Sequence, residues 1–396
     1  MADDVFRRID ALIGLGLRLA RSAPSGRIAL ARVALSIEPD WIPRPWGDQI
    51  AAELEAGLAE SLSPIAFRDV ERVLRDAWGG KPADELDALD PDPVAITPIS
   101  QVHRGELDGE PVAVKVLRPG LAAAVRQDLA LLESLMSPLG AAFPALDPAA
   151  LMRELRERTL DELDLESEAT AQRRFHRALR GHPFLVVPAP VTRLAHEHVL
   201  VSEWIDGAPL WRAPDPDLAA ERLIAFGVGA MRAGIVHADL HPDDVLVLED
   251  GRLAILDFGS TRTVEPDRVD AAALALEAFI ADDAAAFGAA TERLGALPAA
   301  HAGTALSVAR NALGELSGSE PVRLDSAAVI AARDRALAMP AQLGELILAG
   351  SIDPRDLWPA RGVAQLFGTI ARVGAQRPWR ELVRAALRNG WDGTLP

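Results

Sequence analysis

The stretch from His237 to Gly259 limits the fold more than any other part of the chain. Val245 to Leu248 is a short apolar run, Asp250-Gly251 a tight-turn signal, and Leu253 to Leu256 a second apolar run. That pattern predicts a β-hairpin. Acids stand at both mouths: Asp239, Asp243 and Asp244 before the hairpin, Asp257 after it. A hairpin brings its ends together, so Asp244 and Asp257 are expected to be neighbours. Neighbouring carboxylates repel unless a positive charge lies between them. A divalent cation with phosphate oxygens fits, because Mg²⁺ is typically bound by one or two carboxylates plus substrate phosphates.

The stretch resembles the catalytic end of a protein-kinase-like fold, whose pattern is H-R-D-x-x-x-x-N, a hairpin, then D-F-G. His237-Ala238-Asp239 stands for the first part, Asp244 takes the Asn position, and Asp257-Phe258-Gly259 is intact. An ordinary surface hairpin in an acidic protein would also carry acidic flanks. What separates the two readings is the spacing of the halves and a lysine further upstream. Gln101 to Leu107 and Pro111 to Leu117 read as strands joined by Asp108-Gly109, and the second contains Val112-Ala113-Val114-Lys115. This is close to the V-A-I-K whose lysine holds α- and β-phosphates. The only lysines in the chain are Lys81 and Lys115, the other basic side chains being arginine or histidine. A compact ammonium on an apolar strand therefore suits a phosphate clamp.

The rest of the chain is read around this centre. Residues 1 to about 38 have a helical period, as do Gln49 to Leu62 and Phe67 to Trp78, and Asp90-Pro91-Asp92-Pro93 reads as a boundary. The segments 121–137 and 149–179 also read as helices. The second carries Glu162, Asp164, Glu166 and Glu168, acid pairs at i,i+4 that repel unless a cation is near. Lys115 needs a carboxylate partner, and Glu168 is the candidate. Phe184 to Val187 and His198 to Glu203 read as strands, with Trp204-Ile205-Asp206-Gly207 as a hinge. Adenine would then meet backbone groups at Glu203, Trp204 and Ile205. Helices are expected from Leu223 to Ala233 and, beyond Gly259, over Asp270 to Leu294, Ala300 to Leu316, Ala327 to Leu337, Gln342 to Leu348 and Arg361 to Leu387.

Composition excludes several classes. A net charge of −17 disfavours nucleic acid and anionic membrane as partners. With no cysteine there are no disulfides or thiolate metal sites, which fits a reducing, cytoplasmic setting. No uninterrupted apolar run reaches spanning length, so no transmembrane segment is expected; the first helix leaves room for peripheral membrane contact.

Several separated motifs occur in one order: Ser100-Gln101-Val102-His103-Arg104, Val112 to Gly120, Glu162-Leu163-Asp164 to Ala169, Val201 to Gly207, and His237 to Gly259. Together they resemble the UbiB/AarF family of atypical kinases over roughly residues 30 to 262. The resemblance implies an α+β, bilobal kinase-like fold. Residues 1–92 would form a helical extension, 93–205 an N-lobe with a helical insert, and 206–396 a helical C-lobe with extra C-terminal helices. It implies ATP and Mg²⁺, with Lys115 as phosphate lysine, Glu168 as its helix partner, Asp239 as catalytic aspartate, and Asp244 and Asp257 as metal ligands. Ser100 and Gln101 join the nucleotide-binding candidates, and Glu162 and Asp164 match an E-x-D pair that faces the extension. The implied partners are the nucleotide and an isoprenoid lipid or biosynthetic enzyme. Three departures stand out. The family's K-x-G-Q is replaced by Leu30-Ala31-Arg32-Val33, its alanine-rich nucleotide loop by Ala95-Ile96-Thr97-Pro98-Ile99-Ser100, and its H-P-G-N by His241-Pro242-Asp243-Asp244. The alternatives are a pseudokinase scaffold that acts by binding a partner, and a small-molecule phosphotransferase of the aminoglycoside-kinase type.

Overall fold

A computed structural model describes residues 62–133, 147–351 and 353–392, with short pieces at 7–8, 10–11, 47–49, 138 and 140–141. Most of the expected N-terminal helices, and the segment at Leu30 to Val33, lie outside the described residues. The fold is mixed α and β, with a four-stranded antiparallel sheet above a largely helical lower half. Among the described residues no helix is long and apolar enough to cross a membrane.

The upper sheet holds β1 (Ala88–Ile96), β2 (Ser100–Leu107), β3 (Glu110–Leu117) and β5 (Val199–Glu203) in that order. Asp108 and Gly109 both have positive φ, 55° and 79°, as a two-residue hairpin turn between β2 and β3 requires. Alternation along β3 sorts its side chains. Val112, Val114 and Val116 are buried against Val70 and Leu74 of α1 (Phe67–Trp78), and Lys115 lies on the opposite face. The sheet begins at Ala88, ahead of the boundary expected at Asp90 to Pro93. Strand β1 tolerates its prolines because it is an edge strand whose register shifts on both sides of Pro93.

Below the sheet come α2 (Leu121–Glu133), α3 (Pro148–Asp161) and α4 (Leu165–Ala178). The single helix expected from 149 to 179 is two helices. Asp164 breaks it: its backbone is extended, and its carboxylate accepts hydrogen bonds from Glu166 N and Ser167 N as the N-cap of α4. The break removes the predicted pairing of Glu162 with Glu166. Beyond it, Leu165, Glu168, Ala169 and Gln172 share the buried face of α4. Glu168 is thus carried inward by an apolar stripe.

The lower half has its core around α5 (Pro216–Arg232). Strand β4 (Leu185–Val186) runs parallel to β9 (Leu253–Ile255), which pairs with β8 (Val245–Val247), and β8 with β6 (Ala208–Pro209). The predicted hairpin is β8–β9. Leu256 N donates to Asp244 O at 2.9 Å, which closes its mouth. Strand β7 (Ile235–His237) pairs with β10 (Thr261–Thr263), so both ends of the central motif are tied together. The long helix expected from 270 is α6 (Pro266–Ala281) and α7 (Ala284–Arg293), separated by Asp282 in the left-handed region (φ 58°).

After α8 (Ala302–Leu313), α9 (Ser326–Leu337) and α10 (Pro340–Ala349) comes α11 (Pro354–Val373), then α12 (Trp379–Asn389). Gly374 in the left-handed region ends α11 and splits the helix expected from 361 to 387. Helix α11 lies directly on β7. A Cβ placed on Gly362 would sit 2.8 Å from His237 O and 2.8 Å from Val236 Cγ2. We therefore expect Gly362→Ala to lower stability by about 1–3 kcal/mol, the range for overpacking. Urea unfolding compared with Gly303→Ala, whose Cβ meets nothing, checks it; equal midpoints would show that α11 is not packed this closely.

Candidate active site

Three elements converge on one ammonium. Lys115 Nζ donates to Glu168 Oε1 at 2.8 Å, Glu168 Oε2 at 2.9 Å and Asp257 Oδ2 at 2.6 Å. Glu168 is buried, with its side chain 3% exposed. Burial alone would depress the lysine, but the charges of Asp257 and Glu168 raise its pKa above the ordinary value. Burial opposes ionisation of Asp257, yet the lysine's charge and hydrogen bond bring it down to about 2. Burial and the Asp257 charge push Glu168 up to about 7, against the pull of Lys115. One positive charge is shared by two carboxylates; Asp257 keeps its charge and Glu168 is the one that gives way.

Asp257 is fixed from behind. Gly259 N donates to its Oδ1 at 3.0 Å. His237 Nε2 lies 2.6 Å from Asp257 O, and burial lowers the pKa of His237, so the ring is neutral and donates from Nε2. That ring sits edge-on against Phe226 and Phe258, with centroids 5.6 Å away in each case. Phe258 is fully buried and packs on Phe175 of α4 at 5.0 Å. The aromatic cluster couples the helix that carries Glu168 to the loop that carries Asp257.

Asp239 and Asp244 complete the acidic floor of a cleft whose roof includes Ile96, Pro98 and Ile99 and which also receives Glu162, Ser260 and Leu62. It encloses about 230 Å³. Sites for drug-sized ligands span roughly 300–1,000 Å³, so this volume alone is smaller than such a site. Asp244 is the group a cation would relieve most. Burial first, then the charges of Asp257 and Asp239, raise its pKa well above the carboxylate range, and its carboxylate makes no hydrogen bond among the described residues. Among those residues no set of three or more His, Asp or Glu forms a complete metal cage. A pair of aspartates matches the requirement of Mg²⁺, whose remaining ligands are water and phosphate.

The structure thus brings Lys115, Glu168, Asp239, Asp244, Asp257, Glu162 and Ser100 to one cleft. It sends others elsewhere. Gln101 is fully buried; its Oε1 accepts from Ile65 N at 2.9 Å and its Nε2 lies 2.7 Å from His103 Nε2, tying the segment before α1 to the sheet. Asp164 caps α4. Glu203, Trp204 and Ile205 are at the end of β5, where Glu203 N donates to Ala189 O and Trp204 N to Pro111 O.

Two residues on α11 had no local signal. Arg361 Nη2 is 3.0 Å from Asp239 Oδ1, and Gln365 Nε2 donates to the same oxygen at 3.1 Å. Their i,i+4 spacing puts them on one helix face, and Thr369, one turn on, donates from Oγ1 to Leu240 O at 2.5 Å. Ser260 Oγ donates to Glu162 Oε1 at 2.8 Å, and Arg361 Nη1 lies 3.7 Å from the same atom.

A family model described as the ABC1 atypical kinase-like domain matches residues 57–290. The Synechocystis protein sll0005 is 33% identical over 245 residues, which is 59% of this chain and 35% of that protein. The chloroplastic aarF domain-containing protein kinase At1g71810 of Arabidopsis thaliana is 32% identical over 242 residues, 60% of this chain and 34% of its own. A probable protein kinase UbiB of Marinobacter nauticus is 28% identical over 265 residues, 63% of this chain and 48% of its own. The chain thus spans between a third and a half of the length of these relatives. Among solved structures, Rv3197 of Mycobacterium tuberculosis, in complex with erythromycin, aligns over the whole of both chains with a TM-score of 0.64 at 23% identity, a likeness of fold.

The raised pKa of Glu168 has a signed consequence. The folded state holds this proton more tightly than the unfolded chain, so the contribution is present below the unfolded value near 4.5 and is lost as pH rises through 7. In metal-free buffer the wild type should lose about 2–3 kcal/mol more than Glu168→Gln between pH 5 and pH 8. Parallel pH slopes in urea unfolding would show that Glu168 is ionised throughout.

Proposed function

Because the chain belongs to the ABC1 atypical kinase-like family, we propose that it binds ATP with Mg²⁺ and hydrolyses the nucleotide or transfers its phosphoryl group. The observation that carries this reading is the Lys115–Glu168–Asp257 cluster at the head of an acidic cleft. Phosphoryl transfer needs positioning and charge neutralisation more than covalent chemistry, and this cluster supplies both. Lys115 would hand its hydrogen bonds from Asp257 to phosphate oxygens and keep Glu168 as its anchor. Asp244 and Asp257 would hold Mg²⁺, which neutralises phosphate charge when bound. Asp239 would accept the proton of the attacking water or hydroxyl. Arg361 and Gln365 would aim its carboxylate. Glu203 to Ile205 would meet the adenine. The resemblance to UbiB/AarF proteins adds a role in quinone or other isoprenoid-lipid metabolism, with a lipid or a biosynthetic enzyme as partner.

A second reading has its own support. The grip of Arg361 and Gln365 on Asp239, and the replacement of the K-x-G-Q signature by Leu30 to Val33, suit a scaffold that keeps the nucleotide and acts by binding a partner.

Calorimetric ATP binding with and without Mg²⁺, alongside phosphate release, separates the two. Wild-type binding should depend steeply on Mg²⁺. Asp257→Asn should weaken Mg²⁺-dependent binding by roughly tenfold or more, the scale of a lost charged contact. Asp244→Asn should lessen the metal dependence by relieving repulsion of phosphate. Asp239→Asn should spare binding and slow phosphate release by roughly a hundredfold or more. If the wild type binds no nucleotide in either buffer, the enzyme reading fails. If it binds ATP equally well without metal, Asp244 and Asp257 are not metal ligands.

A further inference from the structure

The turn between β1 and β2 roofs the cleft over Lys115 and the acids, and it consists of Thr97, Pro98 and Ile99. Backbone N–H groups in such a turn are natural donors to phosphate oxygens. Here each is committed or missing. Thr97 N donates to Ser100 O at 2.8 Å. Pro98 has no N–H. Ile99 N and Ser100 N both donate to the Thr97 hydroxyl, at 3.3 and 2.9 Å. That hydroxyl also lies 3.0 Å from Ser100 Oγ and 3.3 Å from Ser100 O, so its own proton has a partner. A hydroxyl offers one donor and two acceptor pairs, and all are used.

The turn is also held from outside. Arg118 Nε donates to Thr97 O at 3.0 Å, Arg118 N to Ile99 O at 2.9 Å, and Arg118 Nη2 to Ser63 O at 2.8 Å. Pro98 is buried. The turn lines the cleft with Ile96, Thr97, Pro98, Ile99 and Ser100, and its two hydroxyls lie 3.0 Å apart, bonded to each other. A turn of this kind closes many hairpins with no bearing on ligands; this one differs in facing the same cleft as Lys115 and the metal-site aspartates.

We propose that Thr97 is a latch that withholds the β1–β2 turn from phosphate, so that Lys115 and the metal-site aspartates hold the polyphosphate without backbone help. This deepens the ATP-binding reading and rests on it. Thr97 is a positioning residue: it acts on the ligand through the amides of Ile99 and Ser100. The latch predicts selectivity as well as strength. Amides released from the hydroxyl can serve phosphates that pass under the turn, beyond the α position, and give nothing to a nucleoside monophosphate.

The test is calorimetric binding of ATP and of AMP, in Mg²⁺, to the full chain and to three variants. Thr97→Val removes the hydroxyl and keeps the shape; it should bind ATP roughly three- to tenfold tighter, the scale of one net hydrogen bond, with AMP unchanged. Thr97→Ser keeps the hydroxyl and should match the wild type for both ligands. Pro98→Gly adds an N–H without touching Thr97, should also favour ATP over AMP, and decides the question if Thr97→Val does not fold. Binding by Thr97→Val alone, with none by the wild type, would support the latch. If the wild type binds ATP and neither Thr97→Val nor Pro98→Gly binds it more tightly, the latch is overturned and the ATP reading stands. If no form binds either nucleotide, both fall.

Discussion

The structure depends on one ammonium held between two carboxylates. Lys115 arrives on β3, Glu168 on α4 and Asp257 at the exit of β9, and no two of these elements are neighbours in sequence. Each is delivered by apolar packing. Alternation on β3 turns Lys115 away from Val114 and Val116, a helical stripe carries Glu168 inward, and the Phe258–Phe175 contact sets Asp257 opposite them. Taking such charges out of water costs several kcal/mol per ion in real proteins, so the cluster is weak evidence for stability by itself. Its value is geometric. Removing Lys115 would leave two carboxylates uncompensated, so the placement of the sheet fixes that of the helix and the loop.

The lower half of the molecule enters the site from behind. Helix α11 lies past the end of the family match at residue 290, yet it follows β7 and the loop after it step by step. Gly362 allows contact at His237, Arg361 and Gln365 hold Asp239, Thr369 binds Leu240 O, and Arg372 Nη1 lies 3.2 Å from His241 Nε2. The loop from His237 to His241 is therefore braced along its length by one helix. On the proposed reading, the C-terminal region is part of the phosphoryl-transfer site and not an appendage.

What could be read from the sequence divides by range. The β8–β9 hairpin, the β2–β3 hairpin with its Asp108-Gly109 turn, α1 and the side of β3 that carries Lys115 follow from local periodicity and turn chemistry. Glu168 was legible because Lys115 demanded a buried acid and an acidic helix lay between the motifs. The break at Asp164 was not, since an N-cap aspartate within an acid-rich run looks the same as a solvated helix face. Prolines argued against β1, and an edge position with register shifts overrode them. Arg361 and Gln365 were silent because an i,i+4 pair on a C-terminal helix says nothing about a partner far away in the chain. Gln101 was misleading for the opposite reason: its motif marked a buried tie to the segment before α1, and resemblance alone could not tell that from a ligand contact.

The acids explain why this floor suits a metal better than bare phosphate. Asp239 has Arg361, and Asp257 has Lys115. The Asp244 carboxylate has no ion pair or hydrogen bond among the described residues, and it is buried beside both. Asparagine at this position would leave a neutral oxygen ligand, as in the kinase pattern; aspartate leaves a charge that burial and its neighbours oppose. Without a cation, burial and the neighbouring carboxylates favour its protonated form, next to an ammonium already committed to two carboxylates. On the proposed reading, a bound cation would reverse the order of charges, make the floor attractive to phosphate oxygens and give Lys115 a reason to leave Asp257. Above this floor the turn at Thr97 offers phosphate no free amide. On the proposed reading, an attraction that would ordinarily be divided between a backbone cradle and a metal would fall on the metal and one lysine.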